Sequence, residues 1–499
     1  MSETMRNFWF WAGFLSVPAL IVAGCKAVGP DYVRPALALP QAWNKSADTN
    51  APQAVSAPVV SVAATNDALA LSQWWTVFAD PTLSSLMERA RRNNRDVKQA
   101  EARLRQARAS RNLARAERLP TVDSSASASR SRGSEKAGSG RVSSVYDAGF
   151  DASWEADIFG AKRRAVESAE ATLEASREDL RDVMVSLFSE VALNYVSYRS
   201  YGVRLEITET NLAAQADTYA ITRWRQQANL VTQLDVDQAR VSLEQTRAEI
   251  PALKTGRDEA AHELATLLGE APSALVPLLE RGRPAVPVAV RELAMGVPAD
   301  AMRRRPDVRK AERELAAQTA EIGVAEAARY PDLTLSGSVG LEALKAADLF
   351  TWGARTVSGA LAAGWTLFDG GQIRQKVAVQ TALQEEKLGA YEAAVLTALK
   401  EVENALVAYA NEQDRRRALR DAETAGQSAF VLARDKYKSG LIDFQTVLTT
   451  QQSLLTVQDS LASSEAEVTS DLIRLYKALG GGWNPLAPDH EKNEAAKKR

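Results

Sequence analysis

Cys25, His262 and His490 are the side chains best suited to act as a nucleophile, a proton shuttle or a soft metal ligand, and the chain has no other cysteine or histidine. Their spacing supports none of these roles. A Cys/His zinc site needs several donors close in sequence, and no such set exists. A single cysteine cannot close a disulfide within the chain. His262 sits among Ala260, Ala261 and Glu263 in a helix-forming stretch with no nucleophile motif beside it. Gly370-Gly371 and Gly480-Gly481-Gly482 lack the strand-to-helix context of a phosphate loop. Asp and Glu pairs abound, but on helix faces that need charge to stay solvated. No catalytic residue, metal site or cofactor is expected.

Cys25 has another chemistry open to it. Arg6 supplies a short positive region, and Phe8 to Gly24 form an apolar run of 17 residues ending in Val22-Ala23-Gly24-Cys25. The run is at the short limit for a spanning helix and contains Pro18. A signal peptide, residues 1–24, is the better reading. Small residues before one cysteine resemble the cleavage box of bacterial lipoproteins, although Val22 stands where Leu is commoner. Cleavage would leave Cys25 at the new N-terminus, carrying acyl chains that hold it to a bilayer. An aspartate next would favour inner-membrane retention; Lys26 is compatible with the outer membrane.

The rest of the composition bounds the class. The chain has 499 residues, net charge −2 and 6% aromatics. Near-neutral charge gives no reason to expect a nucleic-acid partner. No later stretch approaches 18 uninterrupted apolar residues, so a mature chain that crosses a membrane must do so with strands.

The elements are organised by an internal repeat at an offset of 211. Asp96-Val97 matches Asp307-Val308, Pro120 matches Pro331, and Trp154 matches Trp365. Gly160 falls on Gly371, Leu230 on Leu441, and Leu268-Gly269 on Leu479-Gly480. Each half therefore reads as helix, strand, strand, long helix, turn, helix. The reading gives a lipidated N-terminal segment and linker at 25–78, a first repeat at 79–270, a linker at 271–298, a second repeat at 299–482 and a flexible tail at 483–499. The opening helices are expected at about 83–118 and 299–328. Pro251 predicts a kink or break in the last helix of the first half.

Strands are expected at about 122–131, 145–155, 333–341 and 356–367. Tyr146, Ala148, Phe150, Ala152 and Trp154 alternate with Asp147, Gly149, Asp151, Ser153 and Glu155. The two strands of the second half alternate likewise. About ten residues of apolar/polar alternation is the pattern of a membrane barrel, and also of a half-buried soluble sheet. Four strands cannot close a barrel, for which about eight is the practical minimum. In lipid, two copies would give eight strands and three would give twelve. The long helices, 159–227 and 370–438, would each run about 100 Å. Both carry a seam of four- and three-residue spacings: Met184, Phe188, Val191, Tyr195 and Tyr198, then Val395, Leu399, Val402, Leu406 and Tyr409.

These features, with Val28-Gly29-Pro30-Asp31-Tyr32, Trp74-Trp75, Asp80-Pro81, Arg304-Arg305-Pro306-Asp307-Val308, Tyr330-Pro331, Phe368-Asp369-Gly370-Gly371 and Tyr437-Lys438-Ser439-Gly440-Leu441, resemble the outer-membrane factors of tripartite efflux systems. This is the TolC-like family, and the lipoprotein branch of NodT type in particular. The resemblance covers nearly the whole mature chain. It implies a mixed α and β membrane protein: a homotrimer with a 12-stranded outer-membrane β-barrel, four strands per chain, continued by a long periplasmic α-helical barrel with a mixed equatorial domain. It further implies a passive duct in a Gram-negative outer membrane, served by a periplasmic adaptor and an inner-membrane transporter of the resistance-nodulation-division class.

By the same resemblance, the helix-hairpin turns form the periplasmic tip, where Asn229, Leu230, Gly440 and Leu441 would meet the adaptor. Gly440, and Asn229 as the next best residue, suit a left-handed turn. Candidates for the narrow aperture are Asp235, Tyr437, Asp443, Gln445 and Thr449, with Asp237 as a further source of charge. Relatives often carry an apolar residue at Gln445 and an aspartate at Thr449, so an acidic ring at Thr449 is in doubt. Threefold repetition of a carboxylate would raise its affinity for protons or cations. The alternative is a periplasmic coiled-coil scaffold or adaptor lipoprotein, which shares the lipid box and hairpins but lacks paired ten-residue strands.

Overall fold

The computed structural model describes residues 26–36, 40, 71–137, 140–281, 283–289 and 302–483; the leader, Cys25 and residues 484–499 lie outside them. The chain divides into two compact units, one of residues 1–36, 103–177 and 310–392, the other of 37–102, 178–309 and 393–499.

In chain order the main elements are α1 Pro81–Asn93, α2 Arg95–Ala116, β1 Thr121–Arg132, β2 Val142–Glu155, α3 Ala161–Gln227 and α4 Gln233–Leu267. The second half supplies α5 Pro306–Ala327, β3 Asp332–Ala343, β4 Arg355–Gly364, α6 Gln372–Lys438 and α7 Phe444–Ala478. No described helix is long and apolar enough to cross a membrane.

The first unit holds one four-stranded antiparallel sheet of order β1-β2-β3-β4, so consecutive strands pair and β1 and β4 are its edges. The central pair joins the repeats, with Phe150 opposite Val339 and Trp154 opposite Leu335. β4 ends at Gly364, three residues short of the expected end. Trp365 instead donates its indole N–H to the Arg329 carbonyl at 3.1 Å, as Trp154 does to Arg118 at 2.9 Å.

The second unit is helical. Its core gathers Trp74, Leu83, Leu86, Phe188, Val191, Tyr195, Leu264, Leu268, Ile473 and Tyr476. Trp74 stacks on Tyr476 with centroids 5.3 Å apart. The seam residues Phe188, Val191, Tyr195, Val395 and Val402 are buried, as their spacing predicts.

Four expectations are corrected. The opening helix of the first half is broken at Asn94, which takes φ −55° and ψ 140°. Its counterpart is interrupted at Arg305, because Pro306 disfavours helical backbone at the residue before it. α4 runs unbroken through Pro251, whose missing amide frees a carbonyl one turn back at exposed Arg247. Trp483, assigned to the tail, is buried between Arg181 and Arg309, whose guanidinium carbons lie 4.5 and 5.5 Å from its ring centroid. Of the expected linkers, residues 37–39, 41–70, 282 and 290–298 lie outside the described residues; within 271–281 the chain forms short turns at Pro272–Leu275 and Val276–Leu279.

Candidate functional site: a two-faced sheet and two hairpin tips

Strand register sorts the side chains into two faces. One carries Phe150, Trp154, Leu335, Val339, Val357 and Leu361; in the single chain Val357 is 78% exposed and Phe150 63%. Such a surface on a hydrogen-bonded sheet needs an apolar surround. The other face carries Asp123, Asp147, Asp151, Glu155, Asp332 and Glu342 among serines and threonines, and no Lys or Arg. Ser127 donates to Asp147, and Ser125 to Asp151 at 3.3 Å, which holds both carboxylates near the sheet. Among the described residues, Glu155 alone of the six has a basic partner, Lys162 at 3.1 Å. All the basic residues within the strands, Arg130, Arg132 and Arg355, lie on the apolar face, at the end nearest the 133–141 and 344–354 loops.

The hairpin tips lie in the second unit. Asn229 has φ 58° and Gly440 φ 74°, the left-handed backbone that lets a tight turn follow a helix. Leu230 and Leu441 follow them at 66% and 74% exposure. Each next helix is capped: Thr232 and Asp235 form a reciprocal capping box on α4, and Asp443 accepts from the Thr446 amide at 2.9 Å on α7. The aperture candidates therefore separate. Asp235 and Asp443 are caps. The Thr446 hydroxyl, then its amide, hold the Asp443 carboxyl below the usual aspartate range, opposite in sense to a proton-gathering ring. Gln445 and Thr449 are exposed one turn apart, with the Thr449 hydroxyl donating to the Gln445 carbonyl at 2.8 Å. Asp237 is exposed and accepts from Gln233.

Tyr437 is buried against Phe444, its hydroxyl without a partner among the described residues. Arg225 lies 4.5 Å from its ring centroid and donates to its carbonyl at 3.2 Å, tying the two hairpins together. Sequence reasoning missed Arg225, since a lone arginine near a helix end carries no signal of its partner.

It also missed the work of residues 26–34. Arg164 on α3 donates to the carbonyls of Val28 and Gly29 and to Asp31, the last at 2.7 Å. Tyr32 and Arg34 both donate to Glu312 on α5. Gly29, at φ 89°, lies so close to Gly323 that a Cβ would stand 2.4 Å from its Cα. The segment thus straps one helix of each repeat. The Val28–Tyr32 motif was visible in the sequence; the facing Gly323 was not, because one glycine in a helix has several explanations.

The chain matches the family described as outer membrane efflux protein over residues 86–270 and 297–481, two segments in the same 211-residue step as the internal repeat. It is 33% identical over 478 residues to nodulation protein T of Rhizobium leguminosarum bv. trifolii, covering 94% of this chain and 97% of that one. It is 36% identical over 434 residues to the pyoverdine export outer membrane protein OpmQ of Pseudomonas putida, covering 84% and 90%. Among solved structures, the outer-membrane channel OprN superposes with a TM-score of 0.83 at 34% identity, over 92% of this chain and all of that one.

Proposed function

The chain belongs to the outer membrane efflux protein family, and we propose that it serves as the lipid-anchored, trimeric exit duct of a tripartite pump. The coarser part follows from membership: it is an outer-membrane channel of an efflux system, a conduit rather than a scaffold. The observation that carries the finer reading is the sheet with one apolar face and two unpaired edges, β1 and β4. An open edge is untenable in hydrocarbon, so the edges must pair with sister chains. Three chains supply twelve strands, enough to leave an aqueous lumen. The apolar face then meets lipid and the acidic, hydroxyl-rich face lines the lumen.

In this reading Cys25 carries acyl chains, the only covalent addition, and no cofactor is needed. The duct catalyses nothing; an inner-membrane transporter of the resistance-nodulation-division class supplies the work through a periplasmic adaptor. The adaptor docks on the tips, where exposed Leu230 and Leu441 offer apolar contacts. Asp235, Gln445 and Thr449 border the aperture.

The test is assembly. Detergent-extracted protein should give a three-chain particle by light scattering and step conductances in planar bilayers. A monomer stable in water without detergent would overturn the reading. Cys25→Ser should abolish palmitate incorporation, read by mass spectrometry, yet still allow conducting trimers in vitro. Leu230→Asp with Leu441→Asp should leave conductance intact and abolish co-purification of the periplasmic adaptor with the channel from cells; undiminished adaptor recovery would remove the tips from adaptor docking.

A further inference from the structure

The basic residues of the sheet are segregated as strictly as its acids. Arg130, Arg132 and Arg355 are opposite Ser144, Val142 and Leu341, so all three project from the apolar face and all at its loop end. No Asp or Glu within the strands shares that face. Arg130 has no ion-pair or hydrogen-bond partner among the described residues. Arg132 donates to Glu135 at 3.0 Å, a pair exposed on both sides and of little strength, and to the Gly140 carbonyl at a long 3.4 Å. Arg355 has its guanidinium carbon 3.3 Å from the ring centroid of Trp352, itself 78% exposed.

An arginine projecting just above an apolar band is where a lipid headgroup sits, and a planar guanidinium suits phosphate better than an ammonium does. We propose that these arginines form a binding site for the phosphate groups of outer-leaflet lipids, one site at each junction between chains. The proposal rests on the barrel reading. Arg130 and Arg132 lie on edge strand β1 and Arg355 on edge strand β4. Antiparallel closure of β1 onto a neighbour's β4 brings the loop ends of both strands together, so three guanidinium groups converge at a seam that one chain alone leaves incomplete. Trp352 beside Arg355 supplies the aromatic surface that favours the interface. Bound phosphate would relieve the repulsion among the arginines and so hold the trimer together.

Native mass spectrometry of the full-length protein with added lipid tests this. The probes are bis-phosphorylated lipid A and the same glycolipid stripped of phosphate. The wild-type trimer should retain the phosphorylated form at least about tenfold better, each arginine near such a surface being worth roughly fivefold. Arg130→Gln/Arg132→Gln/Arg355→Gln should erase that preference and lower the temperature at which the trimer dissociates in lipid. Replacing all three by Lys should restore part of it. Neutralising three helix-surface arginines, Arg91, Arg247 and Arg415, should leave it unchanged. Intact trimers that hold both glycolipids equally, or a glutamine variant that keeps the preference, would overturn the proposal while leaving the barrel standing. Spectra containing only single chains would instead overturn the barrel.

Discussion

Asn94 and Arg305 occupy matching positions in the two repeats and meet the same need with different chemistry. Each sits where a helix is interrupted, and each donates to the last turn of a distant helix: Asn94 to the Leu267 carbonyl at 2.8 Å, Arg305 to the Ala478 carbonyl at 2.8 Å. Those carbonyls are themselves one repeat apart. Asn94 Oδ1 also caps α2 by accepting from the amides of Asp96 and Val97. Arg305 instead grips both oxygens of Asp307 and reaches Glu401. Asn94→Ala should cost about 1–3 kcal/mol, the range for stranding buried polar groups. Arg305→Ala leaves the Ala478 carbonyl unpaired and takes a charged partner from Asp307 and Glu401, which stay partly open to water, and should cost about 2–3 kcal/mol. Guanidinium titration of single variants in detergent checks this; midpoints unchanged from wild type would mean the interruptions are held by packing alone. Nothing local announces the break at Asn94. Asparagine within a helix is only mildly unfavourable, so residues 83–118 read as one helix, and the deciding partner lies 173 residues away. The Arg305 break was passed over as well, since residues 299–328 read as one helix, although Pro306 beside it carried the signal.

Among the elements, the strands were the most legible and the strap the least, because alternation repeats along a strand whereas a docked segment shows only in its receptor. The alternation of acids and aromatics along β2 gives its two faces from sequence alone, whereas its register with β1 and β3 shows only in the structure. The 26–34 strap depends on Arg164 and Glu312, which look like ordinary helix-surface charges. Its hold should depend on pH. Lys26 first, then Arg164, keep the Asp31 carboxyl below the usual aspartate range. A depressed carboxyl contributes stability that is complete above its unfolded value, about 3.9, and is lost as pH falls through the lower folded value. Hydrogen exchange at the Val28 amide, which donates to the Phe159 carbonyl at 3.0 Å, reports the docked state. After correction for intrinsic rates, protection should be level from pH 7 to pH 5 and fall below about pH 4. Asp31→Asn should lower it at neutral pH and flatten the profile. A wild-type profile flat to pH 2 would place the hold in Gly29 packing and the Arg164 bonds to the Val28 and Gly29 carbonyls instead.

For the assembled duct, distribution of charge matters more than its total. A net charge of −2 suggests indifference to the sign of a passing solute. The sheet contradicts that, with six carboxylates and no base on the face assigned to the lumen. Threefold assembly would repeat this set around one water-filled passage walled by protein and lipid, where low-dielectric surroundings strengthen the field. Cations should therefore pass severalfold more readily than anions in dilute salt. Reversal potentials across a KCl gradient measure this directly. Asp123→Asn/Asp147→Asn/Asp151→Asn is the informative variant, because asparagine can still accept from Ser125 and Ser127 and keep the strand surface intact. Glu155 is left alone, since Lys162 already offsets it. The variant should lose most of the cation preference at unchanged conductance. In 1 M salt, where charges are screened beyond about 3 Å, wild type and variant should converge. Selectivity that survives all three substitutions would shift the filter to Asp332 and Glu342, the carboxylates of that face left intact, and only their loss without effect would move it off the strands to the capping carboxylates of Asp235 and Asp443.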